Sequence, residues 1–505
     1  PWLLVFCLDI FLLRPYNTFV NYEIFHMKAA FMKKMTLRKR RAAYLPVLLV
    51  FCLALLVRIV YNLTVGRGYV AIYDAGLYDI LGHNLVTFHC YCLYPPVPDV
   101  SRPPLWPFIM AIIDIFAGNH EFYLRLFYCF LGSGTCVLVY LFARDIFGER
   151  IALLAGIIAA VYTGLFIYDG WLYTESLYDF CLTAFAYSLY RLQRTAPQPK
   201  SVELSRASSV LSVLQSWRQS LIRGRWALFC GILLGLLSLT RPNGPILLGP
   251  LFLWAALVAF MKIQPLRVVV KDALLIACLS ILILAPWTYR NYTVTGRLIL
   301  VSTGLGEVLK GAYNDAVVSG DLADRGMWHA PANTPITYGH DSIHYTPQDD
   351  AIDTQTALTW MRTHLYDMPY LFMLHFANTW IPYDYAHGLP MEEFPGRLSS
   401  QILQVMIYVM SIPIFILAAL GLLLTWKQRR KELLVVYLVM GFIMAQNIAF
   451  YSNMRFRAPL EPFLVLLAGN ALWWLNDRKN GIRSRVRKTD RSRGDVREEA
   501  PARTQ

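Results

Sequence analysis

Charge is scarce in this 505-residue chain: 16% of residues are charged and 56% are hydrophobic. A soluble chain of this length divides into several domains with polar surfaces, and this composition argues against that. Acidic residues are the scarcer sign, 33 Asp and Glu against 47 Lys and Arg, which leaves a formal net charge of +14. Such an excess can serve nucleic acid. Here it sits in short blocks beside apolar runs, at 33–41, 144–150, 218–225, 427–431 and 478–493. That placement fits charge that orients membrane spans, and no nucleic-acid partner is expected. The nine cysteines lack the repeated pair spacing of zinc or redox motifs. Cys90 and Cys92 share one outer loop, where a disulfide, a metal contact and a plain loop pair all stay open. There is no glycine-rich phosphate loop and no metal-ligand cluster, so neither cofactor nor metal is implied. Repeated halves of the transporter kind are also missing.

Apolar runs long enough for a bilayer are abundant. A helical span needs about 20 residues, and runs fall at 43–62, 122–143, 151–169, 176–192, 226–241, 245–262, 270–289, 402–425, 433–451 and 458–475. The expected fold is an all-α polytopic membrane protein of about 10–11 transmembrane helices, with short helices on extracytoplasmic loops. Placing the basic blocks inside gives a consistent alternation. It puts 63–121, 169–175 and 290–401 outside, with tight outer turns at 241–244 and 452–457. The apolar piece 369–381 would invert the later blocks if it crossed, so it reads as a helix lying on the membrane or packed within the third outer loop. Residues 1–42 read as an N-terminal extension and basic cytoplasmic segment, 43–475 as the membrane domain and 476–505 as a basic, disordered cytoplasmic tail. The first 26 to 34 residues are expected to be an upstream extension, with a signal peptide or an extra span as alternatives. Residues 194–225 read as a cytoplasmic linker.

Ionisable residues at membrane edges are costly and are functional candidates. Asp74 follows the first span in Tyr73-Asp74-Ala75-Gly76-Leu77-Tyr78-Asp79. Tyr78 falls one helical turn beyond it. An Asp before Ala-Gly-Leu also suits a helix N-cap, and that reading stays open. Arg102-Pro103-Pro104-Leu105-Trp106-Pro107 reads as an extended, proline-stiffened segment, with an Arg fork suited to phosphate. An interfacial Arg beside a Trp anchor is the plain alternative. Asp169 and Glu175 flank the third and fourth spans. Arg241, Arg290, Arg455 and Arg457 lie on the outer side against the charge trend, so each should meet a carboxylate or an anionic ligand. Carboxylates and several Arg at one membrane face suit a lipid phosphate.

The ordered set resembles the C-type membrane glycosyltransferases, which include the protein O-mannosyltransferases and the lipid A aminoarabinose transferases. An acidic residue just after the first span, followed by a basic residue before paired prolines, resembles their first outer loop. Thr174-Glu175, Leu239-Thr240-Arg241-Pro242, the run from Pro286 to Asn291 and the run from Arg455 to Pro462 are similar to bacterial relatives, across about 43–475. The resemblance implies a polyprenyl-phosphate sugar as donor and a lipid, glycan or protein acceptor. It implies Asp74 as the catalytic carboxylate and Glu175 as a second acidic position. Arg102 takes the place of a phosphate contact and Arg290 that of a second one. Arg241, Tyr78, Arg455 and Arg457 complete the expected substrate-binding set. The family often carries another acidic residue beside the catalytic one, where this chain has Ala75. The expected activity is sugar transfer to an acceptor hydroxyl with inversion, on the outer face of a plasma membrane. The alternatives are a transporter or flippase for a lipid-linked sugar, and a non-catalytic subunit that binds one.

Overall fold

The computed structural model describes residues 25–118, 120–195, 209–321, 325–329, 345–383, 393–394 and 396–495. The expected N-terminal extension, the middle of the 194–225 linker and the end of the tail lie wholly or partly outside these residues. Contacts divide the chain into units 1–49 and 50–505. The first unit contributes the start of helix α1 (Phe25–Leu63), and the second carries the rest of the fold.

Among the described residues the secondary structure is helical, with no named strand. In bilayer-like surroundings a helix satisfies its own backbone polar groups, and the apolar composition selects it. Helices α2 (Tyr73–Thr87) and α3 (Leu105–Ala117) lie in the segment 63–121 expected to be the first outer loop. They are followed by α4 (Glu121–Phe147), α5 (Glu149–Val161), the single turn α6 (Thr163–Phe166) and α7 (Glu175–Arg194). Then come α8 (Ser209–Thr240), α9 (Leu248–Phe260) and α10 (Leu266–Thr295). The segment 290–401 holds α11 (Leu305–Ala312), α12 (Asp315–Ser319), α13 (Pro347–Thr363) and α14 (Met368–Thr379). The chain ends with α15 (Arg397–Trp426), α16 (Leu434–Ala449), α17 (Met454–Arg457) and α18 (Glu461–Asp495).

Six of these segments are long and apolar enough to cross a membrane, and a seventh follows if the bent α5–α6 pair is one span. The protein is an all-α, multi-pass membrane protein. Helix α7 is buried on nearly every face from Glu175 to Gln193.

Three local expectations are revised or refined. The run 151–169 is not one straight span. It bends by 59° at Tyr162, whose hydroxyl donates to Glu461 Oε2 at 2.9 Å. The bend brings Asp169 against Arg58 of α1. The prolines after Arg102 do not keep the chain extended. Helix α3 begins at Leu105, and Pro107 sits in its first turn, where a missing N–H costs nothing. The 369–381 segment is the twelve-residue α14, about 18 Å long and too short to cross. It packs against the end of α16 and the turn after it, with His375 Nδ1 2.8 Å from the Ile448 carbonyl and Thr379 donating to Ser452 at 2.9 Å.

Candidate active site

The site is assembled by five short segments at helix ends. Tyr73 has a φ of 50°, a left-handed conformation that bulky residues rarely adopt. It turns the chain sharply from extended Ile72 into α2. Asp74 therefore lies in the first turn of α2, and Ile72 holds the cap position without a side-chain bond. The N-cap reading of Asp74 is corrected: its carboxylate faces away, onto two guanidiniums. Arg102 reaches Asp74 Oδ1 at 3.2 Å, and Arg455 reaches Oδ2 at 3.0 Å. Arg455 also donates from Nε to Glu175 Oε1 at 2.5 Å. Arg241, just past the end of α8, meets the same Glu175 oxygen at 2.7 Å and Thr174 Oγ1 at 3.2 Å. The result is one continuous chain of charge: Arg102, Asp74, Arg455, Glu175, Arg241.

Aromatic rings set the guanidinium planes. Arg455 lies 4.2 Å from the Tyr173 ring centroid and Arg241 4.8 Å from that of Tyr178, close enough for cation–π attraction. Tyr78, one turn beyond Asp74, is buried in the same cluster. Burial first, and then the Asp74 charge, pushes its phenol up to about 12, so it stays a neutral donor. Burial alone would raise the Asp74 carboxyl. Arg102 and Arg455 outweigh it and hold the group below the ordinary carboxylate value. Glu175 Oε2 and Arg102 Nε are buried and have no hydrogen-bond partner among the described residues. A buried charge-bearing group with spare bonding capacity is expensive unless something completes it.

The family model for dolichyl-phosphate-mannose-protein mannosyltransferases matches residues 101–202, about one fifth of the chain and inclusive of Arg102 and Glu175. No curated protein matches the chain. Its fold is similar to that of the archaeal oligosaccharyltransferase AglB from Archaeoglobus fulgidus, solved with an inhibitory peptide and a dolichol-phosphate. The TM-score is 0.50 at 13% identity, covering 92% of this chain and 53% of that one. The chain thus spans about half of that protein's length. ArnT from Cupriavidus metallidurans matches with a TM-score of 0.39 at 14% identity, over 85% of this chain and 78% of that one. The chain therefore shares a fold with that archaeal oligosaccharyltransferase.

Within this fold, the expected site residues separate into two groups. Asp74, Tyr78, Arg102, Glu175, Arg241 and Arg455 come together. Arg290 and Arg457 are engaged elsewhere. Arg290 donates to the carbonyls of Asp99 at 2.5 Å and Tyr91 at 3.2 Å, and its guanidinium lies 4.8 Å from the Trp287 ring. The Tyr91 hydroxyl in turn donates to the carbonyls of Arg102 and Pro103 at 2.9 and 3.1 Å. Arg290 therefore braces the segment that presents Arg102. Arg457 is fully enclosed, paired with Glu461 at 2.7 Å and bonded to the carbonyls of Thr379 and Ile381. It ties the end of α14 to α18. Asp169 pairs with Arg58 at 2.6 Å, both almost wholly buried.

Sequence reasoning missed three groups. Arg58 was hidden in the first apolar run, although an Arg inside a span calls for a partner. Glu307 on α11 lies within electrostatic reach of Arg102 and Asp74, and burial raises its carboxyl above the ordinary value. Glu393 accepts from the Tyr173 hydroxyl at 3.0 Å, and nothing in the pattern around it signalled that. Cys90 and Cys92 are paired as a disulfide. Among the described residues no three His, Cys, Asp or Glu side chains are grouped to hold a metal ion.

Proposed function

We propose that this protein is a glycosyltransferase that moves a sugar from a polyprenyl-phosphate donor to an acceptor hydroxyl, with inversion, on the extracytoplasmic face of the plasma membrane. The observation that carries this reading is the convergence of Arg102 and Arg455 on one carboxylate, Asp74, beside the buried and incompletely bonded Glu175. Two guanidiniums on one side and a carboxylate between them can hold a phosphate and a nucleophile at once. The match to the mannosyltransferase family model and the dolichol-phosphate bound to AglB support the same donor class. The acceptor is a lipid, a glycan or a protein hydroxyl.

In the proposed reaction the acceptor oxygen attacks the anomeric carbon. The bond from that carbon to the phosphate oxygen breaks, and its electron pair leaves with the phosphate. Asp74 takes the acceptor's proton. Arg102 and Arg455 meet the charge that grows on the departing phosphate. As they turn to phosphate, they cease to depress Asp74. Its basicity rises when a base is needed. Glu175 and Arg241 keep Arg455 in place throughout.

The test is release of radiolabelled sugar from a panel of polyprenyl-phosphate sugars by purified protein with mixed membrane acceptors, run beside Asp74→Asn. Asp74-dependent transfer to an acceptor supports the reading. Full turnover by Asp74→Asn removes Asp74 from the role of base. Movement of intact donor across vesicles without transfer supports a flippase instead.

A further inference from the structure

Glu393 is a further carboxylate beside this site, in the segment before α15. It is wholly buried. Its Oε1 accepts from the Tyr173 hydroxyl at 3.0 Å and from the Ile72 N–H at 3.3 Å, and its backbone carbonyl accepts from the Val70 N–H at 3.0 Å. Glu121 takes the intervening Ala71 N–H at 3.4 Å. Three successive N–H groups leading into the strained Tyr73 are thus held by two glutamates. Such strain costs about 1–3 kcal/mol and persists only where its surroundings hold it. Phe394, next in sequence, packs on the rings of Tyr61, Tyr69 and Trp171. That contact anchors the segment from the other side.

Resting on the reading above, we propose that Glu393 is a positioning residue. It fixes the left-handed turn that aims Asp74 and the Tyr173 ring that carries Arg455, so the third outer loop sets the geometry of the catalytic carboxylate and its guanidinium. The position would be intolerant of a charge. Among the described residues Glu393 Oε2 has no hydrogen-bond partner that meets the usual geometry, and burial raises the carboxyl to about 8, against the opposing interactions with Tyr69, Tyr173 and Ile72 and the more distant Arg455. That shift favours the neutral form at pH 7. The titratable or charged side chains facing it are Tyr69, Tyr173 and Arg455, with Glu121 and Arg125 beyond the Tyr69 ring. Ionisation above pH 8 would place a new negative charge where Arg455 is shared between Asp74 and Glu175.

The experiment compares wild type, Glu393→Gln and Glu393→Ala for donor turnover and thermal unfolding in detergent from pH 5 to 9.5. Gln keeps an acceptor oxygen for Tyr173 and Ile72 and cannot ionise. Wild-type kcat should fall as pH passes about 8. Glu393→Gln should stay within about threefold of wild type at pH 7 and lose that fall. Glu393→Ala should lose tenfold or more through kcat, because misplacing the reacting groups acts on the chemical step. A Glu393→Gln profile with the wild-type alkaline fall overturns the proposal. Thermal unfolding separates this from a failure of the transferase reading. A folded-state carboxyl raised above its unfolded value stabilises at low pH and loses that contribution as pH rises toward 8. Wild type should show this slope and Glu393→Gln should not. Equal slopes overturn the proposal even if no donor in the panel is turned over.

Discussion

Arg455 and Glu175 stand 280 positions apart in the chain, and their side chains meet at 2.5 Å. Their contact joins the start of the buried helix α7 to the turn before α18. Because Arg455 also holds Asp74, and Glu175 also holds Arg241, neither residue of the pair has a single role. Removing either charge changes the field at Asp74 and leaves an ion without its balance in a buried place.

Arg455→Lys should therefore not behave as a conservative change. Lysine keeps the charge as a point donor, whereas the guanidinium fork reaches both carboxylates at once. Loss of one charge-assisted bond, worth about 1.5–3 kcal/mol, corresponds to a fall of roughly 10- to 100-fold in kcat/KM. Arg455→Ala should fall further and should also lower the unfolding temperature. Turnover and thermal unfolding measured on the same preparations check both expectations. Near-wild-type kcat/KM in Arg455→Lys would remove the shared fork from the mechanism.

Asp74→Asn should reduce turnover by about 10²–10⁴-fold, the usual contribution of a positioned base. The pH dependence carries the sharper expectation. Arg102 and Arg455 hold the Asp74 carboxyl below its ordinary value, so its ionised form persists as pH falls through the normal carboxylate range. Its contribution to stability is present above the unfolded value and is lost only as pH drops through the lower folded one. When a donor phosphate takes both guanidiniums and adds its own negative charge, the carboxyl should rise. The acid limb of kcat, which reports the complex, should then lie at higher pH than the acid limb of kcat/KM, which reports the free enzyme. Coincident limbs would count against exchange of partners at Asp74.

The Arg58–Asp169 pair should act on stability. Both side chains are inaccessible, and the pair spans the bend after α5. Removing one partner of a buried pair costs about 3–5 kcal/mol, because the other charge stays behind. Arg58→Leu and Asp169→Leu should each unfold at lower temperature, and the double change should recover part of the loss. Gly132 of α4 offers an independent probe. A Cβ added there would lie on the Asp169 carboxylate and against Arg58 Nε. Gly132→Ala should consequently mimic the single losses, as read by thermal unfolding in detergent.

The helices were largely legible because lipid leaves the backbone few alternatives, and apolar runs with basic flanks mark them. Asp74 and Tyr78 were also legible, since their spacing is that of one helical turn. The pairing of the charges was not. Arg241, Arg290, Arg455 and Arg457 looked equivalent in position, each a cation beside an apolar run against the charge trend. What separates them is which carboxylate or carbonyl the tertiary fold places opposite. Arg58 carried a usable signal, a charge inside a run of mean hydropathy 2.4, which by itself demanded a buried acidic partner. Glu393 carried none, because its role comes from backbone N–H groups more than 300 positions away.

Arg290 gives the clearest separation between a sequence expectation and a structural one. The family resemblance implies a direct contact with the donor phosphate. In the structure its guanidinium is committed to the Tyr91 and Asp99 carbonyls and to the Trp287 face, and Tyr91 passes the constraint to the carbonyl of Arg102. A residue that binds phosphate directly should keep part of its effect as lysine, which still meets phosphate as a point charge. A brace that bonds two carbonyls in fixed directions should not. Tyr91→Phe supplies the control. It leaves Arg290 intact but removes the hydroxyl that holds Arg102. If Arg290 acts as a brace, Arg290→Lys and Tyr91→Phe should both weaken donor use by about tenfold, the worth of one or two lost hydrogen bonds. Their combination should then cost little more than either alone, because residues in one network are not additive. If Arg290 contacts phosphate, Arg290→Lys should be mild, Tyr91→Phe should act independently, and the double variant should show the product of the two. Values of kcat/KM for the four proteins at two salt concentrations decide the matter, since a direct phosphate contact would also weaken with salt.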